Sequence, residues 1–362
     1  MELDFTSSLY LDFRHDSRSL RPWSQLTTGR PAALVRPPGS EPVAGRLARL
    51  QGCEAATLAP ATLHLFWDLF GLWAGRRVAI YLDAGTYPIA RWGVERAAGQ
   101  GVPVRRFPHQ DAEALRRLLQ KEAGNRQPVV VADGICTACG CAAPIADYLE
   151  VTRQAGGLLV VDDTQALGIL GHSPGPGRPY GQGGGGSLRY SGLGGPDVLV
   201  VSSLAKGFGA PLAALSGSDE LIREFEAQSE TRVHCSPPSV AAIHAAEHAL
   251  MLNAEVGDAR RVQLAQRVQQ FRRQLAAAGL AADGGLFPVQ TLKPASHLDA
   301  RRLHERLFNL GVRTVLRCSH DGKEARLSFI ITARHRPGDI ERAVKALEQA
   351  MTITPQPLPE HG

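Results

Sequence analysis

Four short unbroken apolar runs punctuate the chain, Val78–Leu82, Val129–Ala132, Leu158–Val161 and Val198–Val201. A continuous run of this length, without the alternation of a one-sided sheet, predicts a strand buried on both faces. Between them lie helical patterns, Ala61–Ala74, apolar on nearly all faces, and Ala112–Glu122. Strands interleaved with helices predict an α/β domain with a mainly parallel sheet covered on both sides. Further on, Val240–Leu252 and Val262–Ala278 predict helices leading to a smaller C-terminal α+β domain, with strands at Val312–Leu316 and Ala325–Ile331. Helix signals begin near Pro42, and the first forty residues, with prolines at 22, 31, 37 and 38, predict an irregular arm. The expected organisation is an arm at 1–40, a large domain at 41–252, a small domain at 253–352 and a frayed proline-rich tail at 353–362.

The strand ends carry the chemistry. Leu158–Val161 runs into Asp162 and Asp163, and Val198–Val201 leads to Ser203 and then Lys206, followed by Gly207 and Gly209. Catalytic groups collect at the C-terminal edge of an open α/β sheet. A lysine held in a dry site there has its amine pushed toward the neutral, nucleophilic form, and the glycines would let backbone approach a flat ring. Pyridoxal 5′-phosphate (PLP) requires two protein groups, an imine-forming lysine and an acid that keeps the pyridine nitrogen protonated. Lys206 and Asp162 are the candidates; an alternative for the acid pair is a helix cap.

Composition narrows the setting. The 362 residues are 44% hydrophobic, enough for a large core, and the net charge of +5 arises mostly from arginines scattered among acids. Without a lysine-rich run or an aromatic-basic ladder, nucleic-acid binding is not expected; an anionic substrate suits the charge as well. Met1-Glu-Leu-Asp has neither a basic segment nor an apolar one, and no apolar stretch is long enough to span a bilayer, so a cytoplasmic protein without membrane association is expected. Cys136, Cys139 and Cys141 form C-x-x-C-x-C. Zinc wants four ligands and no second half with matched spacing follows, so no metal is expected; a redox pair is the alternative to small reduced residues packing a tight loop.

Residues 171–195 are dense in glycine, and Gly181, Gly183 and Gly186 spell G-x-G-x-x-G. With no strand pattern before it and no helix pattern after it, a dinucleotide site is not expected. The stretch predicts a flexible linker, or a lid or dimer-contact loop from which Arg178 or Arg189 would touch substrate.

With lysine, aspartate and their order in place, the chain from about Gly39 to Leu347 resembles the fold-type-I PLP-dependent enzymes, and among them the α-oxoamine synthases. Val161-Asp-Asp-Thr-Gln-Ala-Leu-Gly-Ile-Leu-Gly171 is similar to that family's V-D-D-A-H-x-x-G-x-x-G, and Ser203-Leu-Ala-Lys-Gly-Phe-Gly209 to its T-x-[SG]-K-x-F-G. Asp133-Gly134, with Gly140 and Ala143-Pro144, is similar to its [ED]-G-x-x-S-M-D-G-x-x-A-P. The resemblance implies Lys206 as the imine lysine, Asp162 as the pyridinium partner and Ser203 on the cofactor phosphate. It places Thr62 and Leu63 where backbone N–H groups open a phosphate-binding helix. Tyr87 would stack on the ring, Thr137 would contact the ring hydroxyl, and Asp133 would belong to the cofactor site. Arg317 would meet the substrate carboxylate. Ser236, or His234 in an ungapped match, would reach the phosphate of the neighbouring subunit in a homodimer.

Departures from the pattern matter as well. Gln165 and Tyr87 stand where the family has histidines, Cys139 replaces the M-D-G aspartate, and the prolines beside Arg317 are missing. A glutamine amide can donate to the ring oxygen but cannot shuttle a proton. The resemblance implies decarboxylative condensation of an amino acid with an acyl thioester, carried by CoA or a carrier protein, to an α-amino ketone. An aminotransferase, which needs no second imidazole, is the alternative, followed by a PLP-dependent lyase and a catalytically silent PLP-fold protein.

Overall fold

The computed structural model describes residues 2–122, 124–294, 299–318 and 324–352, so the tail at 353–362 lies outside the described residues. The chain opens with β1 (Leu3–Asp4), a 3₁₀ turn at Ser17–Ser19, α1 (Ser40–Gln51), β2 (Ala55–Ala59) and α2 (Thr62–Ala74). Then come β3 (Val78–Asp83), α3 (Pro88–Gly99), β4 (Val104–Phe107), α4 (Ala112–Lys121), β5 (Gln127–Asp133) and α5 (Ile145–Gln154). β6 (Leu158–Asp162), α6 (Ser187–Ser191), β7 (Val198–Ser203), β8 (Ala213–Gly217), α7 (Asp219–Gln228) and α8 (Glu230–His234) follow. The last elements are α9 (Val240–Ala277), β9 (Ala282–Asp283), β10 (Val289–Leu292), α10 (Ala300–Asn309), β11 (Val312–Arg313), β12 (Val315–Cys318), β13 (Ala325–Ile330) and α11 (Pro337–Thr352).

Two units share these elements, Leu11–Val262 and the pair of segments Met1–Tyr10 and Gln263–Gly362. The larger holds a seven-stranded sheet in the order β2-β8-β7-β6-β5-β3-β4. β4, β3, β5, β6 and β7 run parallel, and β8 and β2 pair antiparallel at the far edge. Both faces are buried: Val129 and Val131 of β5 point into the core that holds Phe66, Phe70 and Trp73 of α2. Val130 and Ala132 point into the opposite core with Leu115, Leu119 and Tyr148 from α4 and α5. The unbroken apolar runs are thus strands with no solvent face. Parallel strands bring Asp83, Asp133, Asp162 and Ser203, the last residues of β3, β5, β6 and β7, to one edge. This is the mainly parallel α/β architecture expected of a fold-type-I PLP enzyme.

The smaller unit carries a four-stranded antiparallel sheet, β12-β13-β10-β9, and the parallel two-stranded pair β1-β11. The expectation of an arm covering residues 1–40 is corrected here. Leu3 and Asp4 pair with Val312 and Arg313, Phe5 meets the Phe329 edge at 5.6 Å and stacks on His335 at 4.2 Å, and Tyr10 packs on Phe287. Apolar side chains at 3, 5 and 10 are reason enough to bury this segment. The boundary expected at 252/253 falls at 262/263, within α9, because the two helices predicted there are one helix of 38 residues. Gly257 does not break it: a Cβ there would lie 2.6 Å from Asn253 Oδ1 and 2.9 Å from Arg261 Nη2, so the missing side chain makes room for Arg261. The strand expected at Val312–Leu316 is two strands, because β11 pairs with β1 and β12 with β13.

The glycine-dense stretch is folded, not a linker. Gly171 N–H donates to Tyr180 O and Gln182 N–H to His172 O, both at 2.8 Å, Tyr180 is buried, and the short helix α6 follows. Asp163 anchors it by accepting the Ser187 N–H at 3.0 Å; burial pushes this carboxyl up to about 6. Arg189 donates to the carbonyls of Arg49 and Leu50 at the C-terminus of α1, an arrangement that occupies the guanidinium the sequence offered to substrate. Among the described residues no helix is long and apolar enough to cross a membrane.

Candidate active site

At the C-terminal edge of the parallel strands lies a pocket, partly open to solvent, lined by Thr62, Tyr87, Asp133, Ile135, Thr137, Asp162, Thr164, Gln165, Ser203 and Lys206. Eight of these ten were named from the sequence. Asp162 is buried at the end of β6, in register with Asp133 of β5. Burial pushes the Asp162 carboxyl up, while hydrogen bonds from Thr164 and the charge of Lys206 pull it back. The Thr164 N–H donates to Asp162 Oδ1 at 3.1 Å. Burial pushes the amine of Lys206 below the ordinary lysine range, opposed by the Asp162 charge. An amine depressed by burial and facing the charge of a buried carboxylate combines nucleophilicity with acid-base capacity.

The walls are built around this pair. The Tyr87 N–H donates to both oxygens of Asp133, at 3.1 and 3.0 Å, which fixes Tyr87 at the N-cap of α3 on the rim. Burial and the neighbouring Asp162 push Asp133 up to about 8. Ser203 N–H donates to Thr164 Oγ1 at 3.0 Å and its own Oγ accepts the Ala205 N–H at 3.3 Å, tying the ends of β6 and β7 together. Thr62 opens α2, whose N-terminus has no side-chain cap and no acidic residue in its first turn. The exposed N–H groups and dipole of such a terminus favour an anion.

The other residues singled out in the sequence fall as follows. Gly207 does not serve a ring: a Cβ there would lie 2.4 Å from Leu167 O, so the glycine lets the Lys206 loop pack on the strand-end loop of β6. Leu63, second in α2, is 41% exposed and does not line the pocket, so only its backbone is available to the cofactor role. Ser236 and His234 lie exposed in the stretch from α8 toward α9, outside the pocket lining. Arg317 stands on β12 of the smaller unit, opposite Arg326 in register. Sequence reasoning missed Thr164 and Ile135. The signal for Thr164 was available in Asp162-Asp163-Thr164-Gln165, two residues beyond a strand end, where an N–H reaches back to the strand's last carboxylate.

The donor set fits PLP: a depressed lysine for the aldehyde, a buried acid for the ring nitrogen, an aromatic side chain at the rim and an acid-free helix terminus for the phosphate. The family model for aminotransferase class I and II matches residues 65–347. The chain belongs to this family. As an aminotransferase class I and II protein it is similar to 8-amino-7-oxononanoate synthase of Marinobacter nauticus, 31% identical over 255 residues that cover 69% of this chain and 61% of the relative. It is 29% identical over 361 residues to the enzyme of that name from Sodalis glossinidius, covering 96% of this chain and 88% of the other. The chain therefore aligns with less than two thirds of the length of the Marinobacter relative. A variant of serine palmitoyltransferase from S. paucimobilis, solved with PLP and myriocin bound, shares the fold with a TM-score of 0.82 at 17% identity, over 96% of this chain and 87% of that one.

Proposed function

We propose that this family member is a PLP-dependent transferase that condenses an amino acid with an acyl thioester, releasing CO2 and the thiol, to give an α-amino ketone. The observation that carries the reading is the pairing of Lys206 with Asp162 at one strand-end pocket, in a chain whose curated relatives are named 8-amino-7-oxononanoate synthase. When bound, PLP supplies an electron sink for the pair left on the substrate's α-carbon. Lys206 would hold the cofactor through its neutral amine and would serve as the acid-base group for the proton at the substrate's α-carbon. Asp162 holds the proton on the pyridine nitrogen. Tyr87 would stack on the ring, and Thr137 and Gln165 would bind its hydroxyl. The N–H groups of Thr62 and Leu63, with the Ser203 hydroxyl, bind the phosphate.

The roles that the resemblance gives to Arg317, on the substrate carboxylate, and to Ser236, across a homodimer, belong to the same proposal, as do CoA or a carrier protein as acyl carrier and a cytoplasmic location. One observation favours transamination as a second reading: among the described residues no imidazole lines the pocket. Two measurements test the assignment. Borohydride reduction of the PLP-loaded protein should fix the cofactor on the peptide containing Lys206, and CO2 release from an amino acid should require a thioester. Label on another lysine overturns the site; thioester-independent conversion of the cofactor to its pyridoxamine form overturns the condensation.

A further inference from the structure

The cysteine loop acquires a partner that its own spacing did not offer. His109, in the turn after β4, brings its Nε2 to 3.6 Å from Cys139 Sγ. This nitrogen and the sulfurs of Cys136 and Cys139 all lie within 4.8 Å of one another. Around a tetrahedral zinc ion, with Zn–S of about 2.3 Å and Zn–N of about 2.0–2.1 Å, a nitrogen and a sulfur ligand stand about 3.6 Å apart. The histidine and Cys139 are already at that separation.

The surroundings orient the imidazole as a ligand. His109 Nδ1 is 2.7 Å from Asp83 Oδ1, and Asp83 is buried at the end of β3, where it also accepts from Tyr148 Oη at 2.7 Å and from the N–H groups of Gly85 and Gln110. A carboxylate fixed on one ring nitrogen leaves the other as the lone-pair donor, the arrangement that supports metal-bound histidines. Gly85 makes room for it: a Cβ there would lie 2.2 Å from His109 Nδ1. The Gln110 side chain donates to the carbonyls of Cys141 and Ala142 at 3.3 and 3.2 Å, locking the histidine turn to the cysteine loop. The Cys141 thiol is directed at Cys139 O and stands outside the cluster.

We propose that His109, Cys136 and Cys139 bind one zinc ion through Nε2 and two thiolates, with solvent in the fourth position. Two sulfurs and an imidazole select zinc over magnesium or calcium, which take oxygen ligands. The ion ties the turn after β4 to the loop that carries Ile135 and Thr137 to the pocket, clamping the two together beside the active site with one coordination position left to solvent. Nothing in this assignment depends on which reaction the pocket performs.

The test uses the full chain without a polyhistidine tag, kept reduced, and equilibrated with zinc or cobalt(II) alone. One equivalent should bind tightly, and the cobalt form should show tetrahedral visible bands with a sulfur-to-metal charge-transfer band. His109→Gln and Cys139→Ser, both at incompletely buried positions, should remain folded by circular dichroism and lose at least a hundredfold in metal affinity. Cys141→Ser should keep the full equivalent. Failure of the wild type to bind, or undiminished binding in the first two variants, overturns the site. A Cys136–Cys139 disulfide persisting in the reduced preparation overturns it as well, in favour of a redox pair, and loss of metal in Cys141→Ser overturns the three-residue ligand set.

Discussion

Both carboxylate oxygens of Asp133 accept the backbone N–H of Tyr87, so the last residue of β5 sets the position of the aromatic ring on the pocket rim. The sequence offered Asp133 as a cofactor residue by resemblance; its contacts make it a positioning residue for Tyr87. Removing this acceptor leaves the Tyr87 N–H unpaired at a cost of about 1–3 kcal/mol. Asp133→Ala is therefore expected to weaken PLP affinity by roughly 10- to 100-fold. Asp133→Asn, which keeps one acceptor oxygen, should lose less. Spectrophotometric titration with PLP checks the order, and equal losses in the two variants would remove the positioning role.

Asp133 also gives the fold a pH dependence of unusual sign. Its carboxyl is pushed up to about 8 by burial and by Asp162, against about 3.9 in an unfolded chain. Between those values the folded state holds a proton that the unfolded state has lost, so this group's contribution to stability falls as pH rises from about 4 to about 8. Thermal melts without added cofactor at pH 5 and pH 7.5 should show a smaller decline in Asp133→Asn than in the wild type. An unchanged decline would mean that Asp133 stays ionised across the interval.

Asp162 is the group whose charge the proposed chemistry uses, and its neighbours hold it in place: Thr164 donates to Oδ1, and Lys206 faces it electrostatically. Breaking a buried charge pair costs about 3–5 kcal/mol, or between about 10² and 10⁴ in rate where the interaction acts on the transition state. Asp162→Asn should still take up PLP, seen by its visible absorbance, with kcat reduced within that range. Near-normal turnover in this variant would defeat the assignment.

How much was legible in the sequence follows from which interactions are local. The runs ending in Asp133 and Asp162, and the one leading to Lys206, are unbroken because both faces of those strands are covered, so their apolar signal survives without an alignment. β8, Ala-Ala-Leu-Ser-Gly, and β2, Ala-Ala-Thr-Leu-Ala, carry small residues with little hydrophobic contrast and went unread. The pairing of Leu3–Asp4 with Val312–Arg313 joins positions more than 300 residues apart, which no periodicity encodes. The same holds for the histidine of the cysteine cluster: C-x-x-C-x-C is a local pattern, but His109 reaches it only because β4 and β5 flank β3 in the sheet.

Thr164 closes the pocket in a way that its side chain alone can test. Its Oγ1 accepts the Ser203 N–H at 3.0 Å while its N–H is held by Asp162, so one residue links the acid of β6 to the strand leading to Lys206. Thr164→Val keeps the shape and removes the acceptor, leaving a backbone donor unpaired at a cost of about 1–3 kcal/mol. Thr164→Ser restores the hydroxyl and should recover most of it. Urea unfolding with and without PLP measures both effects, and a valine variant as stable as the serine one would remove the link.

Gly186 tests whether the folded glycine stretch belongs to the site's framework. Its φ of 88° is one that only glycine adopts without strain, and a Cβ would lie 1.8 Å from Asp163 Oδ2. Gly186→Ala therefore drives the second acid of Asp162-Asp163 from its bond with the Ser187 N–H, and a loss of at least about 2 kcal/mol is expected. Gly175, in the same stretch, has nothing within 4 Å of its would-be Cβ, and Gly175→Ala should fall within about 0.5 kcal/mol of wild type. Because Asp163 adjoins Asp162, the acid proposed to meet the cofactor ring, the Gly186 variant should also lose PLP affinity while the Gly175 variant keeps it. Equal stability and affinity in the two variants would mean that the stretch is a passive surface loop, detached from the strand end that carries Asp162.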